Sequence, residues 1–368
     1  MRAELVEKLL VKIMAWSPDE ISKERPLLQA LANLKYDEYQ QFAPGTRFIE
    51  SLIKWLDQFE KPEEKKVAYS FIINHLIFIS NEQISHLVNI TFSDKVNPIL
   101  IKKTASRLDI SQYHVRKIVC SKEYKEIVRR SLFIGVSDGA KIDLFRRSNS
   151  AISNEQVFPS YYISVEKAGD MIKELNREYK GKFSTIFLLD DFTASGKSYF
   201  RMENGQPAGK IHKFLISLFN NDANNLFRIL IDSNEKLNIH IIFYLATHEA
   251  LYAIEEAFTS FLMTQPNKEN ITFSIDAIQI IEKNISDDVK AQTDFINLIS
   301  SQKYFDNSIV DVHYKKGNHK KPYLGFNECA LPLILNHNSP NNSLPILWFP
   351  EDSICVGLFP RITRHKDE

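Results

Sequence analysis

Two apolar runs, residues 186–189 and 240–245, constrain the fold of this chain more than any other feature of its sequence. A strand with one face in water alternates apolar and polar residues, whereas a strand covered on both faces is apolar throughout. Further strand patterns occur at residues 132–136 and 271–281, and helical patterns separate the strands at residues 168–179, 210–219 and 249–262. Because strand and helix alternate as in βαβ units, the sequence predicts an α/β fold with a mostly parallel sheet flanked by helices.

The first part of the chain has a different periodicity. From residue 1 to about 130, apolar residues recur every three to four positions, for example at Leu5, Leu9 and Ile13. This spacing is typical of amphipathic helices. We therefore predict an all-α N-terminal domain over residues 1–130 and an α/β domain over residues 131–368, which ends in a tail rich in Pro, Asn and Trp.

Charge and cysteine content exclude several classes of protein. The 46 Lys and Arg residues balance the 46 Asp and Glu residues, so the chain has no overall basic field for nucleic acid or an anionic membrane. Cys120, Cys329 and Cys355 are too scattered for a disulfide framework or a paired-cysteine zinc site. No apolar run approaches the roughly 20 residues of a membrane span. We expect a cytoplasmic protein without a membrane partner, in which any phosphate-binding charge is local.

The most informative segment follows the apolar run at residues 186–189. Asp190 and Asp191 come directly after this run, and a loop of small residues follows them: Thr193, Ala194, Ser195, Gly196, Lys197 and Ser198. Such a loop offers backbone N–H groups to a phosphate, and the adjacent carboxylates can accept hydrogen bonds from a diol or hold Mg²⁺. A ribose 5-phosphate unit offers a phosphate to the loop and a diol to the carboxylates.

The segment has two other interpretations. The letters SGKS resemble the end of a nucleotide-binding P-loop, but that motif requires glycine at the position of Asp191. An acidic helix-capping turn without a ligand is the structural alternative, and it stays open at this stage.

The segment resembles the signature with which phosphoribosyltransferases bind phosphoribosyl pyrophosphate. The resemblance implies that Asp190 and Asp191 face the ribose hydroxyls and the metal ion, and that residues 194–198 surround the 5-phosphate. Ala194 departs from the usual hydroxyl-bearing residue, so one expected contact is absent.

A second polar segment follows the strand pattern at residues 132–136. The backbone of Ser137, Asp138, Gly139 and Ala140 could form an anion-binding concavity. Arg146 and Arg147 suit a pyrophosphate, because a guanidinium group matches phosphate oxygens in a planar fork. An arginine pair bound to surface acids is the alternative.

Residues 201–209 interrupt the helix expected after the loop, and the helical pattern restarts at Lys210. The sequence does not decide whether this insertion packs near the predicted site.

The C-terminal tail extends the resemblance. Residues 338–348 and 357–361 combine prolines, amides, Trp348 and Arg361. Together with the SDGA and DDFTASGKS segments, the tail resembles the phosphoribosyltransferase-like proteins of bacterial conflict systems, which are associated with anti-phage defence and retrons. This resemblance implies a nucleotide-processing or nucleotide-sensing domain that acts as an effector or nucleotide-processing enzyme, with a defence protein or ribonucleoprotein as a possible partner. We expect Arg361 to contribute to the site. A tail that only seals the sheet edge is the alternative.

The resemblance leaves the reaction open between a phosphoribosyl transfer and hydrolysis of an N-glycosidic bond. In either case the ligand is phosphoribosyl pyrophosphate or a nucleotide, with Mg²⁺ as cofactor and Arg146 or Arg147 beside the leaving group.

A different class of function comes from residues 103–118, which resemble a helix-turn-helix. Its apolar positions are Ala105, Leu108, Ile110, Val115 and Ile118. Ser111 would open the second helix. On this alternative, the chain is a non-catalytic, nucleotide-sensing regulator that binds DNA.

Overall fold

The computed structural model describes residues 3–159, 163–203, 206–219, 226–231, 236–265, 268–312, 314–317 and 320–362. The chain divides into two compact units. One unit combines Met1–Gln83 with Glu282–Glu368, and the other is Ile84–Ile281.

Helices form the beginning of the first unit. They are α1 (Ala3–Met14), α2 (Pro18–Leu34), α3 (Phe48–Asp57) and α4 (Pro62–His75), followed by the short strand β1 (Ile77–Ile79). The start of α2 illustrates why these helices begin where they do. The Ser17 hydroxyl accepts from the Glu20 amide at 3.3 Å, and the Glu20 carboxylate accepts from the Ser17 amide at 2.7 Å. This reciprocal cap pairs backbone donors that the first helical turn leaves without partners.

The second unit opens with a helical segment that ends at the sheet. It contains most of α5 (Asn81–Thr91), whose first three residues belong to the first unit, and a π-helical turn (Phe92–Val96), α6 (Asn97–Leu108), α7 (Val115–Val119) and α8 (Lys122–Arg129).

The predicted helix-turn-helix within this segment is wrong. The second helix begins at Val115 rather than Ser111 and has five residues, too few for a recognition helix. Asp109 adopts a left-handed conformation at the end of α6, and Val115 is 46% exposed instead of packing against that helix. Residues 109–114 form a turn instead, in which the His114 amide donates to the Ser111 carbonyl at 3.1 Å.

Strands and helices alternate through the remainder of the second unit. The elements are β2 (Ser131–Gly135), α9 (Ile142–Arg147), β3 (Val157–Phe158), α10 (Val165–Glu178), β4 (Thr185–Thr193), β5 (Arg201–Glu203), β6 (Gln206–Ala208), α11 (Lys210–Phe219), α12 (Leu226–Leu230), β7 (Leu237–Thr247), α13 (His248–Met263) and β8 (Ile271–Ile281). The described strands of the main sheet have the order β3-β2-β4-β7-β8, and every neighbouring pair is parallel. The α/β fold class predicted from the apolar runs is confirmed. β5 and β6 form a separate antiparallel hairpin.

Packing explains why β4 lies in the middle of the sheet. The Phe187 ring stacks on Phe133 of β2 at 5.1 Å and on His240 of β7 at 5.0 Å, measured between ring centroids. These three residues are register partners on neighbouring strands. Burial of a phenylalanine contributes about 1.5–3 kcal/mol, so this row favours the observed strand order.

The chain returns to the first unit after β8. The elements here are α14 (Lys283–Ala291), α15 (Thr293–Ile299) and β9 (Leu333–Leu335), with short 3₁₀ turns at Asn307–Ile309, Tyr314–Lys316, Pro322–Leu324, Phe326–Glu328 and Pro345–Leu347. β9 pairs in parallel with β1, and the Trp55 indole donates to the Ile346 carbonyl at 2.8 Å. The tail therefore packs with the N-terminal helices. The predicted boundary at residue 130 and the compact units divide the chain differently.

Within the residues that are described, no helix combines the length and the apolar character that crossing a membrane demands.

Candidate ligand-binding site

Two polar segments meet at the carboxyl end of the sheet. Asp190 and Asp191 are near the end of β4, and Ser137 follows β2, which is the parallel neighbour of β4. The Ser137 hydroxyl donates to Asp190 Oδ1 in a short hydrogen bond. Because parallel strands present their carboxyl ends at one edge, this edge is where α/β proteins of this kind bind ligands.

Asp190 is the buried member of the acid pair, with a relative exposure of 1%. The Tyr199 hydroxyl donates to Asp190 Oδ2 at 2.7 Å, and Lys210 Nζ lies 3.4 Å from the same oxygen. Burial, together with the charge of Asp191, raises the pKa of Asp190 to about 6. Since both of its oxygens accept hydrogen bonds from the protein, Asp190 organises the site rather than facing a ligand.

Asp191 has a different environment from its neighbour. It is half-buried, and its Oδ1 accepts from the Phe192 amide at 2.8 Å. A Cβ atom built on Gly139 would overlap the Asp191 carboxylate, so the backbone of the Ser137–Ala140 turn lies directly against that carboxylate. Because Asp191 is only half-buried whereas Asp190 is 1% exposed, Asp191 is the more accessible of the two carboxylates.

The loop after β4 has the local structure of an anion site. Gly196 adopts a φ of 70°, and its amide donates to the Thr193 hydroxyl at 3.2 Å. The Thr247 hydroxyl donates to the Ala194 carbonyl at 2.7 Å. In the part of the chain that the structure describes, no protein group accepts from the backbone N–H groups of Ser195, Lys197 and Ser198. These amides are available to a phosphate.

The insertion at residues 201–209 packs on this loop. Arg201 Nη1 donates to the Lys197 carbonyl at 3.1 Å, and the Lys210 amide donates to the Ser198 carbonyl at 3.1 Å. In a trans peptide the N–H and C=O groups point in opposite directions. Arg201 therefore turns the Ser198 amide away from the hairpin. The helix restarts at Lys210 as predicted, but a turn and a hairpin, not a helix, come directly after the loop.

The Ser137–Ala140 turn is only partly available as an anion-binding concavity. The Ala140 amide donates to the Ser137 carbonyl at 3.1 Å, and the Ala140 carbonyl accepts from the Tyr244 hydroxyl. Asp138 is exposed. The turn thus contributes two features to the site: the Ser137 hydroxyl, which donates to Asp190, and the backbone of Gly139, which lies against Asp191.

The predicted roles of Arg146, Arg147 and Arg361 stay predictions. Arg146 and Arg147 are the last residues of α9, and over the described residues neither guanidinium forms an ion pair or touches the acid pair. The alternative interpretation, an arginine pair bound to surface acids, requires ion pairs that these two residues do not form within the described chain. Both remain candidates for binding an anion. Arg361 belongs to the other compact unit, where its guanidinium lies 5.0 Å from the centroid of the Trp348 ring.

Sequence reasoning missed Tyr199 and Lys210. Both contact Asp190, and burial with the charge of Asp190 raises the pKa of Tyr199 well above its ordinary value, so the hydroxyl stays a donor. The only available signal was position, since Tyr199 directly follows the loop and Lys210 opens the next helix.

Most of the chain matches one family of proteins. The model of the PRTase-CE family matches residues 52–361. The chain belongs to the PRTase-CE family. The predicted membership of a phosphoribosyltransferase-like family is thereby confirmed. No curated protein and no solved structure matches the chain.

The candidate site fits a divalent metal ion only in part. Among the described residues, no group of three or more His, Cys, Asp or Glu side chains could hold a metal. Asp190 does not fit as a ligand, because donors and the Lys210 ammonium surround its oxygens. Asp191 fits, since Mg²⁺ in phosphate-processing sites commonly uses one or two carboxylates and oxygens of the substrate.

Proposed function

We propose that this PRTase-CE protein binds a phosphorylated ribose, as phosphoribosyl pyrophosphate or a nucleotide, at the carboxyl end of β4. The observation that carries the proposal is the set of unpaired backbone amides at Ser195, Lys197 and Ser198, which lies directly after the acid pair. Backbone amides of a small-residue loop donate to phosphate oxygens without a side-chain entropy cost.

The sugar is assigned to Asp191. Its carboxylate is half-buried against Gly139 and can accept hydrogen bonds from the ribose diol. Mg²⁺ would be held by Asp191 together with ligand oxygens, and when bound it would reduce the negative charge of a pyrophosphate. Asp190 supports this arrangement by fixing Ser137 and Tyr199 around it.

The chemistry would break the bond between C1 of the ribose and its leaving group. A transferase would form a new bond from C1 to an acceptor, and a hydrolase would form it to water. Such a reaction passes through a cation-like sugar, so orientation and charge stabilisation matter more than a protein nucleophile. Incubation of the protein with nucleotides, nucleobases and phosphoribosyl pyrophosphate, followed by mass spectrometry, separates transfer, hydrolysis and binding alone.

The resemblance to proteins of bacterial conflict systems supports a role as an effector in anti-phage defence, with a partner protein or ribonucleoprotein. Loss of phage protection in cells that carry the Asp191→Asn variant would support this role, whereas unchanged protection would refute it as far as it depends on the site.

Titration calorimetry with phosphoribosyl pyrophosphate and Mg²⁺ tests the binding proposal. Ser198→Asp places a carboxylate on the loop and should abolish binding by repulsion, while the similarly shaped Ser198→Asn variant keeps the loop neutral and should bind. Asp191→Asn should weaken binding, whereas Asp170→Asn on the exposed face of α10 should not. Absence of heat with the wild-type protein refutes the proposal.

A further inference from the structure

The proposed function gives no role to the ammonium group of Lys210, which lies beside Asp190. We infer that Lys210 donates to the phosphate held by the loop after β4. The inference rests on the proposed function, because it concerns the same ligand. It goes beyond the proposed function by assigning a ligand contact to Lys210, which lies outside both the acid pair and the loop.

The contact between Lys210 and Asp190 does not occupy all the hydrogen-bond donors of the ammonium group. Lys210 Nζ lies 3.4 Å from Asp190 Oδ2, longer than the 2.7–2.9 Å typical of a charge-assisted hydrogen bond. The ammonium also lies 4.8 Å from the centroid of the Tyr199 ring. Since an ammonium has three donors, at least one N–H of Lys210 is directed away from Asp190.

Exposure shows that a ligand can reach this ammonium. The side chain of Lys210 is 37% exposed, whereas that of Asp190 is 1% exposed. The pair therefore has a buried acidic end and an open cationic end.

The backbone brings Lys210 to the loop. Its amide donates to the Ser198 carbonyl at 3.1 Å, and the next amide, that of Ile211, donates to the Tyr199 carbonyl at 3.0 Å. Gly209 adopts a φ of 117°, and a Cβ atom there would overlap the Tyr199 carbonyl. The chain thus passes as close to the loop as a glycine allows, immediately before Lys210.

Charge balance supplies the physical reason for this arrangement. A phosphate bound beside Asp190 and Asp191 meets two carboxylates, and like charges at short range repel. A lysine between the loop and the buried acid offsets that repulsion and adds a charged donor to the neutral amides.

Titration calorimetry of the full-length chain with ribose 5-phosphate tests the inference, with ribose as the probe that lacks the phosphate. We expect Lys210→Met to weaken binding of ribose 5-phosphate by about tenfold or more. Lys210→Arg keeps the positive charge and should lose less affinity for ribose 5-phosphate than Lys210→Met does. Lys213→Met removes an exposed lysine one turn further along α11 and should bind as the wild type does.

A second pair of variants separates a ligand contact from a structural role. Asp190→Asn and the double variant Asp190→Asn/Lys210→Met both lack the buried charge, so neither leaves an unpaired carboxylate. We expect the double variant to bind ribose 5-phosphate about tenfold more weakly than Asp190→Asn alone. Equal binding by these two, or wild-type affinity for Lys210→Met, overturns the inference and leaves the proposed function intact. A wild-type protein that binds phosphoribosyl pyrophosphate but not ribose 5-phosphate overturns the inference alone, and one that binds neither overturns both.

Discussion

The Ser137 hydroxyl, which follows β2, donates to the buried carboxylate of Asp190, near the end of β4. This bond ties together the ends of two neighbouring parallel strands. It also supplies one of the donors that keep a buried carboxylate ionised, since burial raises the pKa of Asp190 to about 6 and hydrogen bonding opposes that rise.

Ser137→Ala is expected to destabilise the protein by about 1–3 kcal/mol at pH 8, because a buried, ionised carboxylate loses a donor. The folded-state pKa of Asp190 lies above its unfolded value of 3.8, so the folded state binds the proton more tightly. The contribution of Asp190 to stability therefore falls as pH rises from about 4 to about 6. Urea unfolding should show a larger loss for Ser137→Ala at pH 8 than at pH 4.5.

Ser150→Ala is the matched control for this substitution, since Ser150 is exposed in the same compact unit. It should leave the free energy of unfolding within about 0.5 kcal/mol of the wild type at both pH values. An equal loss for Ser137→Ala at the two pH values would contradict the assigned role of the hydrogen bond.

Gly139→Ala should disturb the position of Asp191. The added methyl group would overlap the Asp191 carboxylate, and the backbone of the turn must move to make room. We expect a loss of affinity for phosphoribosyl pyrophosphate together with a stability loss of about 1–3 kcal/mol. Calorimetry and thermal unfolding measure the two effects.

Gly169→Ala provides the contrast for Gly139→Ala. Gly169 lies in α10 with no atom near the position of an added Cβ. Alanine there should raise the free energy of unfolding by about 0.5–1 kcal/mol and leave affinity unchanged. If both glycine variants bind alike, the Gly139 contact does not position Asp191.

The sequence alone indicated the sheet and the loop because both depend on local pattern. The apolar run of β4 and the acids and small residues that follow it are contiguous in the chain. The roles of Lys210 and Gly139 depend on which strands and loops meet in space, which no local pattern contains. The pairing of β1 with β9 joins two three-residue strands more than 250 residues apart, too short to be recognised by periodicity.

The different environments of Asp190 and Asp191 also depend on the three-dimensional structure and not on the local sequence pattern. The two residues are chemically identical and adjacent, so sequence reasoning gave them one role. Alternation along β4 directs their side chains to opposite faces, which places Asp190 among Ser137, Tyr199 and Lys210 and leaves Asp191 against Gly139. Neighbouring residues of a strand have separate environments even when they share a motif.

His240 should make stability depend on pH in the opposite sense to Asp190. Burial and the charge of Lys103 lower the pKa of His240 to about 4 from 6.5. Its contribution to stability is therefore fully present above pH 6.5 and is lost as pH falls towards 4. His240→Gln removes the titrating group, so wild type and variant should differ by on the order of 2 kcal/mol more at pH 7 than at pH 4.5.

Chemical denaturation of both proteins across this pH range measures that difference. Ser274, whose hydroxyl lies 2.7 Å from His240 Nδ1, can still bond to the glutamine amide, so loss of the hydrogen bond does not dominate the comparison. A difference that stays constant between pH 4.5 and pH 7 would show that His240 titrates as it does in the unfolded chain.

Fragments distinguish the compact units from the boundary predicted at residue 130. Lys103 Nζ of α6 donates to the Thr185 hydroxyl of β4 at 2.7 Å, and the Gln156 amide donates to the Val128 carbonyl of α8 at 2.7 Å. A fragment of residues 84–281 keeps these contacts, and we expect it to unfold cooperatively by circular dichroism. A fragment of residues 131–368 loses these contacts. It also lacks Trp55, which donates to the Ile346 carbonyl, and β1, which pairs with β9. We therefore expect that it does not unfold cooperatively. Cooperative unfolding of residues 131–368 but not of residues 84–281 would favour the boundary at residue 130.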